Sequence, residues 1–318
     1  MTKVSIIVPI YNVEKYLQEC LDSLYHQSLS DIEVLLVNDG TKDNSGIIAK
    51  RYVDKHPRIF KYLEKENGGL SDARNYAMPY VKGKYVAFVD SDDFVAPTMF
   101  EKLYYLAEAN NADMVDCEFD YVYEESGKHK QVSFPVYKNK FDCLITAYPN
   151  AWNKLYNAEW LKKQNVKFPK GLWHEDIEFF FKVLPFSNMI PPTVHEPLYY
   201  YRQRGGSIMS NPDWRILDLH IIYANIVSFY KEKGIYNEYK DVIEYKYLKT
   251  TCCNFMRRML AIKDKKFRND IIDRSWGEFS NAFPSWRKNP YLKQLTPINL
   301  YLNCMSRPLI GLLKLIIK

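Results

Sequence analysis

The fold is decided by the stretch Val4-Ser5-Ile6-Ile7-Val8-Pro9-Ile10, an almost continuous run of apolar residues rich in β-branched side chains. Such a run is typical of a strand that is buried on both faces, as in a parallel sheet covered by helices. The next segment, 14–27, places apolar and aromatic side chains at helical spacing. The two segments together predict the start of a βαβ unit.

The same alternation continues through the first 120 residues. The pattern predicts further strands and helices in turn, at 32–37, 45–56, 58–63, 71–80, 84–89 and 97–110. Alternation at this spacing indicates a mostly parallel sheet with helices on its faces. Ligands bind such sheets beyond the carboxyl ends of the strands, so chemistry is expected there.

The pattern changes after residue 120. Residues 113–200 mix short strands with short helices, whereas residues 211–318 favour helices throughout. Between them, residues 205–212 contain Gly-Gly and Asn-Pro pairs, which are typical of a break between elements. We therefore expect one α/β domain at 1–210 and an all-helical domain at 211–318.

Composition and charge narrow the class of protein. The 318 residues are 47% hydrophobic and 26% charged, which is globular composition. The six cysteines form no Cys-x-x-Cys pair, and neither a signal peptide nor a membrane-spanning run is present, so a reducing cytoplasm is expected. The first 120 residues hold 13 Lys and Arg against 20 Asp and Glu, whereas the rest hold 31 against 18. The basic part would suit phosphates, nucleic acid or an anionic membrane surface.

The segment Asp90-Ser91-Asp92-Asp93 directly follows the strand predicted at 84–89. Three carboxylates within four residues repel one another unless a cation neutralises them. Oxygen ligands suit Mg²⁺ or Mn²⁺, and such ions keep coordination positions for diphosphate oxygens. The alternative is a turn in which one aspartate caps the next helix, but a cap needs only one carboxylate. The segment therefore favours a metal site.

Four further segments combine acids, arginines or paired glycines at places where elements end. Each has a structural alternative, such as a turn, a helix cap or a basic surface loop, that spacing alone leaves open. The four segments are 37–45, 67–75, 173–178 and 199–207. The motifs GxGxxG after the first strand, GxxxxGK[ST] and GxSxG are absent, which disfavours dinucleotide oxidoreductases, P-loop NTPases and serine hydrolases.

Taken together, these residues resemble glycosyltransferase family 2, which has the GT-A fold. The resemblance rests on four segments in family order: Val4–Asn12, Val37–Thr41, Gly68–Asn75 and Asp90–Asp93. It is clear over residues 3–120, and weaker motifs extend it to about residue 208. It implies a Rossmann-like, mostly parallel central sheet flanked by helices, with a nucleotide-binding half at 1–120 and an acceptor half at 121–210.

The resemblance also implies a function. The family transfers a sugar from a nucleotide donor with inversion, here a hexosyl or N-acetylhexosaminyl group from a UDP-sugar, with Mn²⁺ or Mg²⁺ as cofactor. The expected acceptor is a hydroxyl of a glycan, polymer, glycoprotein or lipid-linked molecule in bacterial surface polysaccharide or glycoconjugate synthesis, and no nucleic-acid partner is expected. Two competing functions stay open: a nucleotidyltransferase, and a non-catalytic carbohydrate-binding or scaffolding relative.

The resemblance assigns roles to individual residues. Asp176 corresponds to the catalytic base with Glu175 beside it, and Asp92 corresponds to the metal ligand. Asp39 is expected near the uracil, and Asp90 or Ser91 near the ribose. The full set expected to bind the nucleoside and diphosphate is Pro9, Tyr11, Asp39, Asn67, Arg74, Asp90, Ser91, Arg202 and Ser207.

The end of the sequence, 307–318, is an apolar run with interspersed basic residues. It is too short to span a bilayer but suits the interface of an anionic membrane, which would make the protein peripheral on the inner face of the plasma membrane. The alternative is a final helix packed on its own domain or on the partner in a homodimer. Both readings stay open at this point.

Overall fold

One central sheet forms the core of a computed structural model, which describes residues 1–204 and 213–316. The described strands are β1 Val4–Ile10, β2 Ile32–Asp39, β3 Phe60–Lys65, β4 Tyr85–Phe88, β5 Phe94–Val95, β6 Met114–Tyr123, β7 His129–Val132, β8 Lys154–Asn157 and β9 Thr193–Gln203. Every residue of β1, β2 and β4 is buried, as expected for strands covered on both faces.

The strand order is β3-β2-β1-β4-β8-β6-β9-β5, with β7 paired to β6. The first four strands are parallel, and β6 is parallel to β9. Strand β8 lies antiparallel between β4 and β6, so the sheet is mixed beyond its first four strands. The predicted α/β class is confirmed. The carboxyl ends of β1, β2 and β4 meet at one edge of the sheet.

The described helices are α1 Glu14–Tyr25, α2 Ser45–Lys55, α3 Leu70–Ala77, α4 Met99–Asn110, α5 Lys140–Thr146, α6 Ala158–Gln164, α7 Glu175–Val183, α8 Asp218–Glu232, α9 Tyr236–Lys249, α10 Met256–Leu260, α11 Lys265–Ala282, α12 Pro297–Cys304 and α13 Arg307–Ile316. The four helices predicted within the first 120 residues are present as α1 to α4. A π-helical turn at Thr250–Phe255 joins α9 to α10. Within the described ranges, no helix is both long enough and apolar enough to cross a bilayer.

The described chain divides into two compact units. The sheet unit lies within Met1–Lys140, Thr146–Gly171 and Glu175–Gly205, and the helical unit within Phe141–Ile145, Leu172–His174 and Gly206–Lys318. Two short segments, 141–145 and 172–174, therefore pack with the helical unit although they precede the boundary predicted from the sequence. That predicted boundary, 205–212, lies outside the described residues.

Candidate active site

Strand ends and one helix start bring acidic side chains together in the sheet unit. Asp39 is the last residue of β2, and the segment 90–93 follows β4. Helix α7 begins at Glu175 and Asp176, where the helix dipole favours negative charge. His174, just before this helix, has a φ of 68°, so the chain turns sharply there.

Arg74 connects three of these acids. Its side chain has no exposed surface, and Nη2 donates to Asp90 Oδ1 at 2.7 Å. Nη1 donates to Glu175 Oε1 at 3.0 Å and to Asp176 Oδ1 at 2.9 Å. The guanidinium also stacks over the ring of Phe168, 5.0 Å from its centroid. The structure thus differs from the expected diphosphate contact, because this buried guanidinium is engaged by carboxylates.

Burial and repulsion between neighbouring carboxylates make Asp90 and Glu175 hard to ionise. Burial raises the pKa of Asp90 to about 6, although Arg74 opposes the shift. Burial, together with the neighbouring Asp176, raises the pKa of Glu175 to about 7. Raised carboxylate pKa values of this kind are typical of sites that receive a cation or carry out proton transfer.

Asp92 and Asp93 are adjacent but have different environments. The Asp92 side chain is 27% exposed, and its Oδ2 accepts from Nε and Nη2 of Arg204 at 3.0 and 2.7 Å. Asp93 is 1% exposed and accepts from the Tyr199 hydroxyl at 2.7 Å and from the Arg202 backbone N–H at 2.8 Å. Asp93 therefore attaches β9 to the loop after β4, whereas Asp92 stays accessible.

Asp92 fits a metal ion that is shared with a substrate. Among the residues that the structure describes, no group of three or more His, Cys, Asp or Glu side chains could hold a metal ion. One or two carboxylates are, however, the usual protein ligands of Mg²⁺ when phosphate oxygens complete the coordination. The cation on Asp92 in this structure is the Arg204 guanidinium. The donor set therefore suits a metal that binds together with a diphosphate.

Two arginines at the end of β9 flank the ring of Tyr16. Their Cζ atoms lie 5.2 Å (Arg202) and 5.0 Å (Arg204) from its centroid. Arg202 Nε donates to the Asp92 backbone oxygen at 3.0 Å, and Nη2 donates to Glu19 Oε2 at 2.5 Å. Arg202 thus lies beside Asp92, where a diphosphate ligand is expected. In this structure its guanidinium is paired with Glu19.

Asp39 holds the glycine loop before α3. It is 2% exposed, and its carboxylate accepts from the N–H groups of Gly68 at 3.0 Å and Gly69 at 2.7 Å. Lys65 Nζ lies 2.6 Å from Asp39 Oδ1. Gly69 has a φ of 85°, in the left-handed region that favours glycine. The carboxylate expected near the uracil is thus engaged in positioning this loop.

The other predicted contacts lie near the same edge or outside the described residues. Pro9 is buried in β1, and Tyr11 follows the strand with 43% of its surface exposed. Asn67 is exposed, and its amide donates to the backbone oxygen at the end of β2 at 2.9 Å. Ser91 is buried. Ser207 lies outside the described residues.

Three side chains at the site were not assigned from the sequence. Arg204 lies in the segment 199–207 and Tyr16 in the helical stripe at 14–27, and the family resemblance assigns no role to either. Trp152 stacks on Tyr199 and Tyr201, with centroids 4.2 and 5.2 Å apart, and supports β9. Only the i, i+2 spacing of Arg202 and Arg204 could have indicated that the two share a location.

The family model described as "Glycosyl transferase family 2" matches residues 5–169. The chain is 35% identical over 253 residues to the uncharacterized glycosyltransferase EpsJ of Bacillus subtilis, covering 75% of this chain and 72% of EpsJ. It is also 40% identical over 244 residues to the minor teichoic acid biosynthesis protein GgaB of B. subtilis, covering 71% of this chain and 26% of GgaB.

A solved structure shows the same fold. The crystal structure of S. aureus TarS 1–349 in complex with UDP-GlcNAc superposes with a TM-score of 0.60 at 21% sequence identity, covering 95% of this chain and 78% of that chain. At this identity the likeness concerns the fold alone. It supports the GT-A arrangement of a sheet flanked by helices.

Proposed function

This chain belongs to glycosyltransferase family 2, and we propose that it transfers a sugar from a UDP-sugar to an acceptor hydroxyl with inversion at the anomeric carbon. One observation carries the proposal: Arg74 holds Asp176 in a cluster with Asp90, two residues before the accessible Asp92. A candidate base and a candidate diphosphate site thus share one edge of the sheet. Such positioning supplies much of the rate enhancement of a displacement reaction.

Asp176 is the proposed general base. Its Oδ1 accepts from Arg74, and its Oδ2 accepts from the Ala151 backbone N–H at 3.2 Å, so the carboxylate is oriented from two sides. In the proposed step it removes the proton of the acceptor hydroxyl while the hydroxyl oxygen bonds to the anomeric carbon. The bond from that carbon to the diphosphate oxygen breaks, and UDP leaves with the electron pair.

Arg74 is the proposed positioning residue. It touches no expected substrate position, because it is fully buried. Its fork of donors fixes the relative placement of Asp90, Glu175 and Asp176. This role replaces the diphosphate contact expected from the sequence.

The leaving diphosphate needs positive charge around it. A Mn²⁺ or Mg²⁺ ion bound by Asp92 would stabilise the negative charge that develops on the diphosphate. In the proposed donor complex, Arg204 exchanges Asp92 for a phosphate oxygen, and Arg202 and Ser207 contribute further contacts. The nucleoside is proposed to lie against the edge formed by Pro9, Tyr11, Asp39, Asn67, Asp90 and Ser91.

The acceptor is proposed to belong to bacterial surface polysaccharide or glycoconjugate synthesis. The likeness to GgaB, a teichoic acid biosynthesis protein, supports this class, and the TarS complex with UDP-GlcNAc supports a UDP-sugar donor. A hexosyl or N-acetylhexosaminyl group, and a glycan, glycoprotein or lipid-linked acceptor, are part of the proposal. The proposed place of action is the cytoplasm, at the inner face of the plasma membrane when the acceptor is lipid-linked.

The proposal is tested by product release from a panel of UDP-sugars with Mn²⁺. We expect UDP to be released, and we expect EDTA or Asp92→Asn to lower the rate by roughly 100-fold or more, as when one stabilising group is lost from a transition state. The matched control is Asp31→Asn, because the Asp31 side chain is 58% exposed and its carboxylate lies outside the site.

Each other outcome has a defined meaning. Undiminished UDP release in EDTA and in Asp92→Asn would show that the metal assignment is wrong. Release of inorganic diphosphate instead of UDP would identify a nucleotidyltransferase. Binding of a UDP-sugar or glycan without any turnover would identify a non-catalytic carbohydrate-binding relative.

A further inference from the structure

The outward face of α13 is apolar. Pro308, Gly311, Leu312 and Leu315 are all exposed, and their spacing places them on one stripe of the helix. Leu312 is 52% exposed and Leu315 is 73% exposed. A helix on the surface of a water-soluble protein usually presents polar side chains on this face.

Lys314, one of the two charged residues of α13, lies on the other side of the helix. Lys314 is only 16% exposed, and its Nζ lies 2.7 Å from Asp273 Oδ2 on α11. Ile310, on the same side of the helix, is 3% exposed. The ion pair of Lys314 and the buried Ile310 therefore attach the helix to its own unit, while Leu312 and Leu315 are exposed. The packing alternative accounts for the inner side of α13 and leaves the outer side without a partner among the described residues.

Further exposed apolar side chains precede α13 in the same unit. Leu295 is 91% exposed, Ile298 43% and Leu300 56%. Single exposed leucines are ordinary, but five large aliphatic side chains exposed within residues 295–315 are a concentration that indicates an interaction surface.

The charge of this region identifies the kind of partner. Residues 279–318 contain six Lys and Arg and no Asp or Glu. Four of the six, Arg287, Lys288, Lys293 and Arg307, are exposed. This stretch combines exposed apolar side chains with basic residues and contains no acid. Such a combination suits the interface of an anionic bilayer, where negatively charged headgroups cover an apolar layer of acyl chains.

We propose that residues 287–315 form a docking surface for an anionic lipid bilayer, with Leu312 and Leu315 among the acyl chains and the basic residues against the headgroups. A second copy of the chain suits this surface less well, because two such faces would bring only positive charges together. Helix α13 has 10 residues, about 15 Å of helix, so it lies in the interface and does not span it. The docking requires no catalytic step.

The test uses the full chain with two kinds of vesicle, pure phosphatidylcholine and phosphatidylcholine with about one third phosphatidylglycerol. We expect the protein to float with the anionic vesicles only, and to dissociate as the salt concentration is raised because the headgroup attraction is screened. The double variant Leu312→Glu/Leu315→Glu should bind the anionic vesicles at least about 10-fold more weakly, since each change replaces apolar burial by repulsion.

The matched control is Ile47→Glu/Val136→Glu, which makes the same change of charge at exposed residues of the sheet unit. It should bind as the unchanged chain does. Leu312→Ser/Leu315→Ser adds no charge and should also weaken binding, so the test does not depend on the folding of the Glu variant. UDP release by each variant is measured in parallel to check that the sheet unit is intact.

Three results would overturn the proposal. The first is failure of the full chain to float with anionic vesicles, and the second is equal flotation with neutral ones. The third is a dimer in light scattering that the double leucine variants convert to a monomer while vesicle binding is absent, which would assign this face to a second copy. None of these results bears on the release of UDP, so the proposed function is judged separately.

Discussion

At the residue scale, the site depends on one buried arginine shared by three acids. Arg74 bonds to Asp90, Glu175 and Asp176 and is itself inaccessible. A buried charge network of this kind costs desolvation free energy and is weak evidence for stability. Its better-supported consequence is geometric, because the three carboxylates are held at fixed positions relative to one another.

The residue-scale prediction concerns the proposed base. Asp176→Asn keeps the shape and removes the basic carboxylate, and its single amide oxygen can accept from either Arg74 or the Ala151 N–H. We expect turnover to fall by roughly 10²–10⁴-fold, the usual contribution of a general base, with UDP-sugar binding retained. Single-turnover kinetics measure the first quantity and calorimetry the second.

The matched control for this change is Asp54→Asn, on the exposed face of α2. It should alter neither quantity. If Asp176→Asn lost donor binding instead of turnover, Asp176 would be a binding residue and the base would have to be sought elsewhere in the cluster.

At the scale of elements, the longer strands and helices were easier to predict from the sequence than the shortest strands. The long strands β1 and β2 and the amphipathic helix α1 were predicted, because seven or more residues show a clear pattern. Strands β5, β7 and β8 were not predicted. They have two to four residues each, too few to show a period, and none has the four consecutive apolar residues that made β4 predictable.

The element-scale prediction concerns the attachment of β9. Asp93 is buried and accepts from Tyr199 and from the Arg202 backbone, and burial raises its pKa well above the ordinary value. Asp93→Leu should lower the free energy of unfolding by about 1–3 kcal/mol, because two buried donors lose their acceptor. It should also weaken UDP-sugar binding, since the end of β9 carries Arg202 and Arg204.

Asp93→Asn is the conservative partner of this change. An amide of the same shape still accepts from the Arg202 N–H and carries no charge, so we expect the loss to stay below about 1 kcal/mol. Urea unfolding measures both variants. Equal losses in the two would mean that the charge of Asp93, and not its acceptor role, stabilises the strand.

At the scale of the whole molecule, the two units respond oppositely to acid. In the sheet unit, burial raises the pKa of Asp116 to about 6 and that of Glu175 to about 7. In the helical unit, burial lowers the pKa of His174 to about 3 and that of His220 to about 4. Folded and unfolded chains therefore bind different numbers of protons between about pH 4 and pH 7.

These pKa shifts determine whether acid raises or lowers the free energy of unfolding of each unit. The folded sheet unit binds more protons than its unfolded chain, so its free energy of unfolding rises as the pH falls from 7 to 5. The folded helical unit binds fewer protons, and His220 alone removes about 2 kcal/mol of its stability over the same range, at 1.36 kcal/mol per pKa unit. We expect calorimetry to show a broader or split transition at pH 5.

His220→Gln is the check on this prediction. It removes the titrating ring, which contacts Ser275 and Tyr247 in the helical unit. The unfolding temperature of that unit should then depend less on pH, even if the loss of these contacts lowers it at every pH. A single sharp transition that shifts uniformly with pH in both proteins would contradict the prediction.

The sequence by itself determined the α/β class, the family and, apart from β5, the order of strands and helices over the first 120 residues. These follow from local signals: hydrophobic periodicity, glycines at turns and acids directly after a strand. Local signals also placed Asp90, Asp92 and Asp176 among the candidate residues. Local signals alone do not distinguish the three acids of the segment 90–93, and the family resemblance assigns roles to Asp90 and Asp92 but none to Asp93.

Only the tertiary structure decided what each of these side chains contacts. Arg74 bonds to residues that are 16, 101 and 102 positions away in the sequence. Asp93 is attached to β9 through residues more than 100 positions away, while Asp92 remains exposed. Burial and ion pairing depend on which distant segments pack together, and no spacing along the chain encodes that. The contacts of the buried arginine, and the different environments of Asp90, Asp92 and Asp93, are therefore seen only in the folded molecule.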